Sequence, residues 1–225
     1  MPAVHTIETR AHGRYLVEPP AGGGPWPWLV GFHGQGETAA IQLEALSRMR
    51  PGPEWGLVSV QGLHRYYART GDVVAAWMTR EDRELAIADN IAYVAAVVAA
   101  VGAAHGPPSA LVYSGFSQGV AMAYRAAAAA GHPCAGIVVL GGDVPPDVAP
   151  AAAALPPVLL GRGAADPLYP AARAERDLAV LRDAGATVEL CEFDAAHAYG
   201  PAFDERARTF LADVAAGRPP VRPVS

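Results

Sequence analysis

Residues Ala110–Ala130 read ALVYSGFSQGVAMAYRAAAAA, and the order of residue types in that stretch decides the fold. Ala110-Leu111-Val112-Tyr113 has the apolar, β-branched and aromatic character of a short strand, and Gln118 to Ala130 is rich in helix formers. Between them stands Gly115-Phe116-Ser117-Gln118-Gly119. A strand that passes into a helix through a serine held between glycines puts that serine in a strained turn that only small neighbours tolerate. Its Oγ then projects above the sheet at the helix N-terminus.

Outward from that turn, short apolar runs alternate with longer helical ones, the signature of βα units in a largely parallel sheet with helices on both faces. The expected strands are Trp28 to Phe32, Gly56 to Val60, Ala110 to Ser114, Gly136 to Leu140, Pro157 to Leu160 and Thr187 to Phe193. The expected helices are Ala39 to Arg48, Arg83 to Ala103, Gln118 to Ala130, Ala171 to Ala184 and Ala202 to Ala215. Residues 5 to 18 alternate well enough for a leading hairpin of Thr6 to Thr9 with Tyr15 to Glu18, and Gly217 to Ser225 reads as a loose tail.

With 225 residues, 52% hydrophobic and 17% charged, the chain can bury one substantial core, so a single domain over residues 1–225 is expected. A formal charge of -5, with all 17 basic residues arginine and scattered, offers no stripe to neutralise a phosphate backbone, which argues against a nucleic-acid partner. His5, Glu8 and Arg10 interrupt any export-type apolar segment, and the longest apolar run, Ile91 to Ala104, falls short of a membrane span. A soluble, cytoplasmic protein is the expectation. Cys134 and Cys191 lack metal-type spacing and read as buried free thiols two strands apart, beyond disulfide reach.

The serine turn needs a base and an acid. In an α/β-hydrolase fold these follow the nucleophile in the order Asp or Glu, then His. Only His132 and His197 come after Ser117. His132 ends the helix that begins at the serine, on the order of 20 Å from it. His197 follows the run Thr187 to Phe193 and so lies at a strand's carboxyl edge, where such sheets bind ligands. For the acid, Asp166 in Gly163-Ala164-Ala165-Asp166-Pro167 is favoured over Asp143, which sits one strand further from the histidine loop; Asp194 reads as a loop cap. Oxyanion donors are expected from the backbone N–H of Gln118 and, in Gly31-Phe32-His33-Gly34-Gln35-Gly36, of Gln35. His33 is expected to brace that loop by hydrogen bonding, and with Tyr66 and Trp77 it is also a candidate substrate contact. The segment Gln61 to Arg69 overhangs the same edge, where Arg65 and Arg69 could attract an anionic leaving group.

From Trp28 to His197 the chain resembles the phospholipase/carboxylesterase group of α/β hydrolases, which includes acyl-protein thioesterases and short-chain bacterial esterases. His33-Gly34-Gln35-Gly36-Glu37 is similar to that group's His-Gly-x-Gly-Asp oxyanion loop, and Gly115 to Gly119 matches its nucleophile motif. The resemblance implies Ser117, Asp166 and His197 as catalytic residues and no metal or organic cofactor. Departures are Arg162 where His often precedes Gly163, Val120 for a further glycine, and Ala196 for the glycine before the base. The expected substrate is a small ester or thioester with a short or medium acyl chain. A peptidase, a dienelactone-type hydrolase and a non-catalytic binding protein on the same fold are the alternatives, and oligomeric state stays open, a homodimer included.

Overall fold

The computed structural model describes residues 2–220. Residues 2 to 13 form no regular structure and are exposed, so the expected strand at Thr6 to Thr9 does not form. Its only large apolar residue, Ile7, is 91% exposed and has nothing to bury against. The second arm does form: β1 (Arg14–Glu18) pairs antiparallel with β3 (Gly56–Gln61), Tyr15 opposite Val60 and Val17 opposite Val58.

The other sheet strands are β2 (Pro27–Phe32), β6 (Ala110–Phe116), β7 (Gly136–Leu140), β8 (Val158–Gly163) and β9 (Val188–Phe193), in the order β1-β3-β2-β6-β7-β8-β9. All pairs but β1 with β3 are parallel. Helices α2 (Arg83–His105), α3 (Gln118–Ala129) and α4 (Ala171–Asp183) cover one face, and α1 (Ala39–Met49) and α5 (Pro201–Ala215) the other. Alternate strand residues therefore enter different cores: Trp28, Val30 and Phe32 meet α2 and α3, while Leu29 meets α1. With both faces covered, β2, β3, β7 and β8 are buried throughout, which is why they read as largely apolar runs, interrupted only by Ser59 and Gln61 in β3 and Arg162 in β8.

By length and composition α2 could cross a bilayer. In the fold its Val94, Val97, Val98 and Val101 pack in the larger core, and its outward face is the short-chained Ala92, Ala96, Ala99 and Ala100. The segment Gln61 to Arg69, expected as a loop, contains β4 (His64–Tyr67), which pairs with β5 (Val73–Ala76) as a two-stranded ribbon over the sheet edge. Cys134, two residues before β7, and Cys191, on β9, are free thiols, half-buried where full burial was expected, with β8 between those two strands. Burial raises both, Cys134 to about 11. Pro220 is buried and accepts a hydrogen bond from Arg206 Nη2, so the tail is tied down at least that far; the rest of the expected tail lies outside the described residues.

Candidate active site

Parallel strands deliver their following loops to one edge, and the loops after β2, β6, β7, β8 and β9 converge there. At the end of β6 the chain enters α3 through Ser117, whose φ of 51° and ψ of -117° lie outside the regions ordinary side chains adopt. Ser117 N–H donates to Leu140 O at 2.9 Å, and Ser117 O accepts from Val120 N–H. The flanking glycines are sterically required: a Cβ at Gly119 would stand 2.1 Å from Phe32 O, and one at Gly115 2.3 Å from Gly119 O.

His197 follows β9 and Asp166 follows β8. Asp166 Oδ2 lies 2.7 Å from His197 Nδ1, and Oδ1 accepts from the backbone N–H groups of Leu168 (2.8 Å) and Tyr169 (2.9 Å). Burial alone would raise the Asp166 carboxyl, but the His197 and backbone hydrogen bonds outweigh it and hold the group below the usual range. Ionised Asp166 accepts, so Nδ1 carries the ring proton and Nε2 is left as an acceptor. That Nε2 is buried without a hydrogen-bond partner. No bond joins it to Ser117 Oγ here, yet both residues line the same cleft. The imidazole rests against Phe116, ring centroids 4.9 Å apart.

A Cβ at Gly163 would be 2.1 Å from Ala196 O, so β8 must end in glycine for the backbone before His197 to come close to it. Arg162 is turned away from the cleft; it donates to Tyr169 O and Ala164 O and pairs with Glu192, bracing the chain on both sides of Asp166. Asp143 stands at the cleft wall with Arg173 and Arg176, away from the imidazole nitrogens. Asp194 is exposed and caps nothing among the described residues. His132 bonds Ala95 O near the opposite end of α3.

The backbone N–H groups of Gln35 and Gln118 have no acceptor among the described residues, and both residues border depressions beside Ser117. The Gln35 loop is pinned from three sides. Gly34 N–H donates to Glu37 Oε2 at 2.7 Å, and Gly36 N–H to Ala75 O at 2.9 Å. His33 Nε2 accepts Gly62 N–H at 3.0 Å, which leaves Nδ1–H to donate to Gly34 O at 2.7 Å and fixes one neutral tautomer. Burial lowers the His33 pKa and raises that of Glu37.

Two of the expected substrate contacts are corrected. His33 and Trp77 are fully buried and bonded to each other's surroundings, Trp77 Nε1 donating to His33 O, so both brace the loop from behind. Tyr66, 42% exposed, does face the site. Arg65 is spent on His12 O, and neither it nor Arg69 lines the cleft. Sequence reasoning missed the Gln118 side chain, which clamps Trp77 N–H and Met78 O, and missed Leu168, Arg83, Arg125 and Arg173 as cleft walls. The cleft holds about 600 Å³. Among the described residues no group of three His, Cys, Asp or Glu side chains is placed to hold a metal ion.

A model of the phospholipase/carboxylesterase family matches residues 25–215. The chain belongs to this family. Similar solved structures include esterase PE8, at 23% identity and a TM-score of 0.70 over 90% of this chain and 99% of that one. Zea mays acyl-protein thioesterase 2 matches at 21% and 0.68 over 90% and 100%. The Bacillus cereus carboxylesterase matches at 17% and 0.70 over 90% and 94%. At such identities these neighbours establish the α/β-hydrolase fold. No curated protein matches the chain significantly.

Proposed function

We propose that the chain is a serine esterase or thioesterase that works through an acyl-enzyme, with Ser117 as nucleophile, His197 as base and Asp166 as the acid that orients it. The observation that carries this is the His197 ring: Nδ1 is occupied by Asp166 at 2.7 Å, Nε2 is buried without a hydrogen-bond partner, and the residue lines the same cleft as Ser117. In unliganded sites the bond from nucleophile to base is often long and tightens with substrate.

Ser117 Oγ attacks the ester or thioester carbonyl while His197 Nε2 takes its proton. The oxyanion is met by Gln35 and Gln118 N–H, the latter at the positive end of α3. The imidazolium returns the proton to the leaving oxygen or sulfur, and the same nitrogen then activates water to release the acid. The cleft volume of about 600 Å³ favours short to medium acyl chains.

The test is labelling with a fluorophosphonate, followed by nitrophenyl esters from C2 to C16 with acyl-CoAs alongside. Rapid labelling at Ser117, and efficiency that rises over the first carbons and then levels off, are expected. Absence of labelling would make the chain a non-catalytic member of the fold; efficiency climbing to C16 would overturn the chain-length assignment.

A further inference from the structure

The wall of the cleft carries three arginines, Arg83, Arg125 and Arg173. Beyond Ser117 it runs along α3 past Ala121 to Arg125, residues four apart and so on one helix face. Arg125 lies about 12 Å along the helix axis from Ser117. Side chains on a helix lean toward its N-terminus, which brings this guanidinium back toward the serine. Met78, Val144, Pro146 and Leu168 make the intervening wall apolar.

Arg125 is 1% exposed, and Nε and Nη2 donate to the two oxygens of Asp147, each at 2.8 Å. Nη1 is left with only Met78 Sδ, at 3.8 Å, a weak acceptor for a buried charged donor. Arg83 and Arg173 line the same cleft, with their side chains 43% and 52% exposed. Each of the three has a carboxylate partner, Asp147 for Arg125, Glu84 for Arg83 and Asp143, shared with Arg176, for Arg173, and of these carboxylates only Asp143 lines the cleft. In a chain of formal charge -5, this concentration of cations faces the place where an acyl chain would lie.

We propose that the cleft selects acyl groups that end in a carboxylate, half-esters of short dicarboxylic acids, with the reacting carbonyl at Ser117 and the far carboxylate between Arg125 Nη1, Arg83 and Arg173. This rests on the serine-esterase reading above. A planar carboxylate fits the free edge of a guanidinium, and the apolar wall between takes up the methylenes.

The experiment compares kcat/KM for monomethyl glutarate and monomethyl adipate with methyl pentanoate and methyl hexanoate, neutral esters of matched chain length, by proton release. A charge-assisted hydrogen bond in a partly buried site corresponds to roughly tenfold or more. The half-esters are therefore expected to be preferred about tenfold at low ionic strength, with the ratio shrinking as salt rises. Arg83→Gln and Arg173→Gln should each lower the ratio. Asp147→Asn, which frees the guanidinium of Arg125 without removing it, should raise it.

Binding of free adipate to Ser117→Ala protein, measured by calorimetry, reads the same site without turnover and should weaken in both arginine variants. Ser117-dependent hydrolysis of methyl hexanoate with equal or poorer use of the half-esters would overturn the substrate class and leave the esterase reading standing. If neither ester is turned over and Ser117 takes no fluorophosphonate, the esterase reading falls, and the adipate titration alone decides the anion site: no binding, or binding indifferent to Arg83→Gln and Arg173→Gln, overturns it.

Discussion

Ser117→Gly and Ser117→Ala should both abolish turnover, and should differ in stability in a way that the backbone at this position dictates. With φ at 51° and ψ at -117°, Ser117 holds a conformation that costs a residue bearing a Cβ on the order of 1–3 kcal/mol. The surroundings impose it through Ser117 N–H to Leu140 O, Val120 N–H to Ser117 O, and glycines on either side that admit no Cβ. Alanine keeps the Cβ and its strain. Glycine removes the strain but loses about 0.5–1 kcal/mol through the extra freedom of the unfolded chain. The net expectation is a glycine variant about 1 kcal/mol more stable than the alanine variant, or roughly 2–4 °C in Tm for a chain of this size. Thermal unfolding of the two variants, followed side by side by circular dichroism with nitrophenyl butyrate turnover as control, reads the difference. A glycine variant that melts at or below the alanine variant would refute a strained nucleophile.

Three further outcomes are expected. In Asp166→Asn the side-chain oxygen stays with the Leu168 and Tyr169 N–H groups, so the amide NH₂ faces His197 Nδ1 and drives the ring proton to Nε2. kcat should fall about 10⁴-fold, as when a triad acid elsewhere is made an amide, while Asp143→Asn should cost a neutral ester far less; the reverse ranking would move the acid to the loop after β7. Gly163→Ala drives a Cβ to within 2.1 Å of Ala196 O and so displaces the backbone that carries His197; a kcat loss of about 10²-fold is expected from a shift near 1 Å, and unchanged kcat would count against this glycine's role. Glu37→Gln keeps an acceptor for Gly34 N–H and removes a carboxylate whose pKa burial raises. A raised folded pKa means that Glu37's contribution to stability is present below its ordinary value and lost as pH rises through the folded one. The glutamine variant should therefore melt above the parent at pH 8, with the gap closing toward pH 4; a gap that widens in acid would show the sign to be wrong.

What could be read from the sequence was what local chemistry forces. A serine between glycines, after a strand and before a helix, has few structural solutions, and the backbone oxygens of Phe32 and Gly119 leave no room for another residue there. His197 and Asp166 could be placed together because parallel topology sends the loops after β8 and β9 to the same edge. The errors arose where a side chain's partner lies far away in sequence. His33, expected to brace its loop, and Trp77 were also candidates to meet a substrate, yet Gly62 N–H occupies the His33 ring and the His33 carbonyl the Trp77 indole N–H. Arg125 looked like a helix residue in an alanine run, and only packing shows its buried guanidinium against Met78 and Asp147. The β4–β5 ribbon escaped because His64-Arg65-Tyr66-Tyr67 is exposed throughout and shows no burial-driven alternation.

The fixed tautomer of His33 gives this protein a spectroscopic witness to its own loop. A ring proton on Nδ1, buried and held 2.7 Å from Gly34 O, should exchange slowly with water and resonate far downfield in a proton NMR spectrum, apart from the bulk of the amides. A second proton could enter only at Nε2, where it would evict the Gly62 N–H. The signal would therefore survive as long as the loop keeps its shape and vanish when acid, heat or a mutation opens it. Loop integrity could thus be followed in the intact protein with no substrate, label or probe attached.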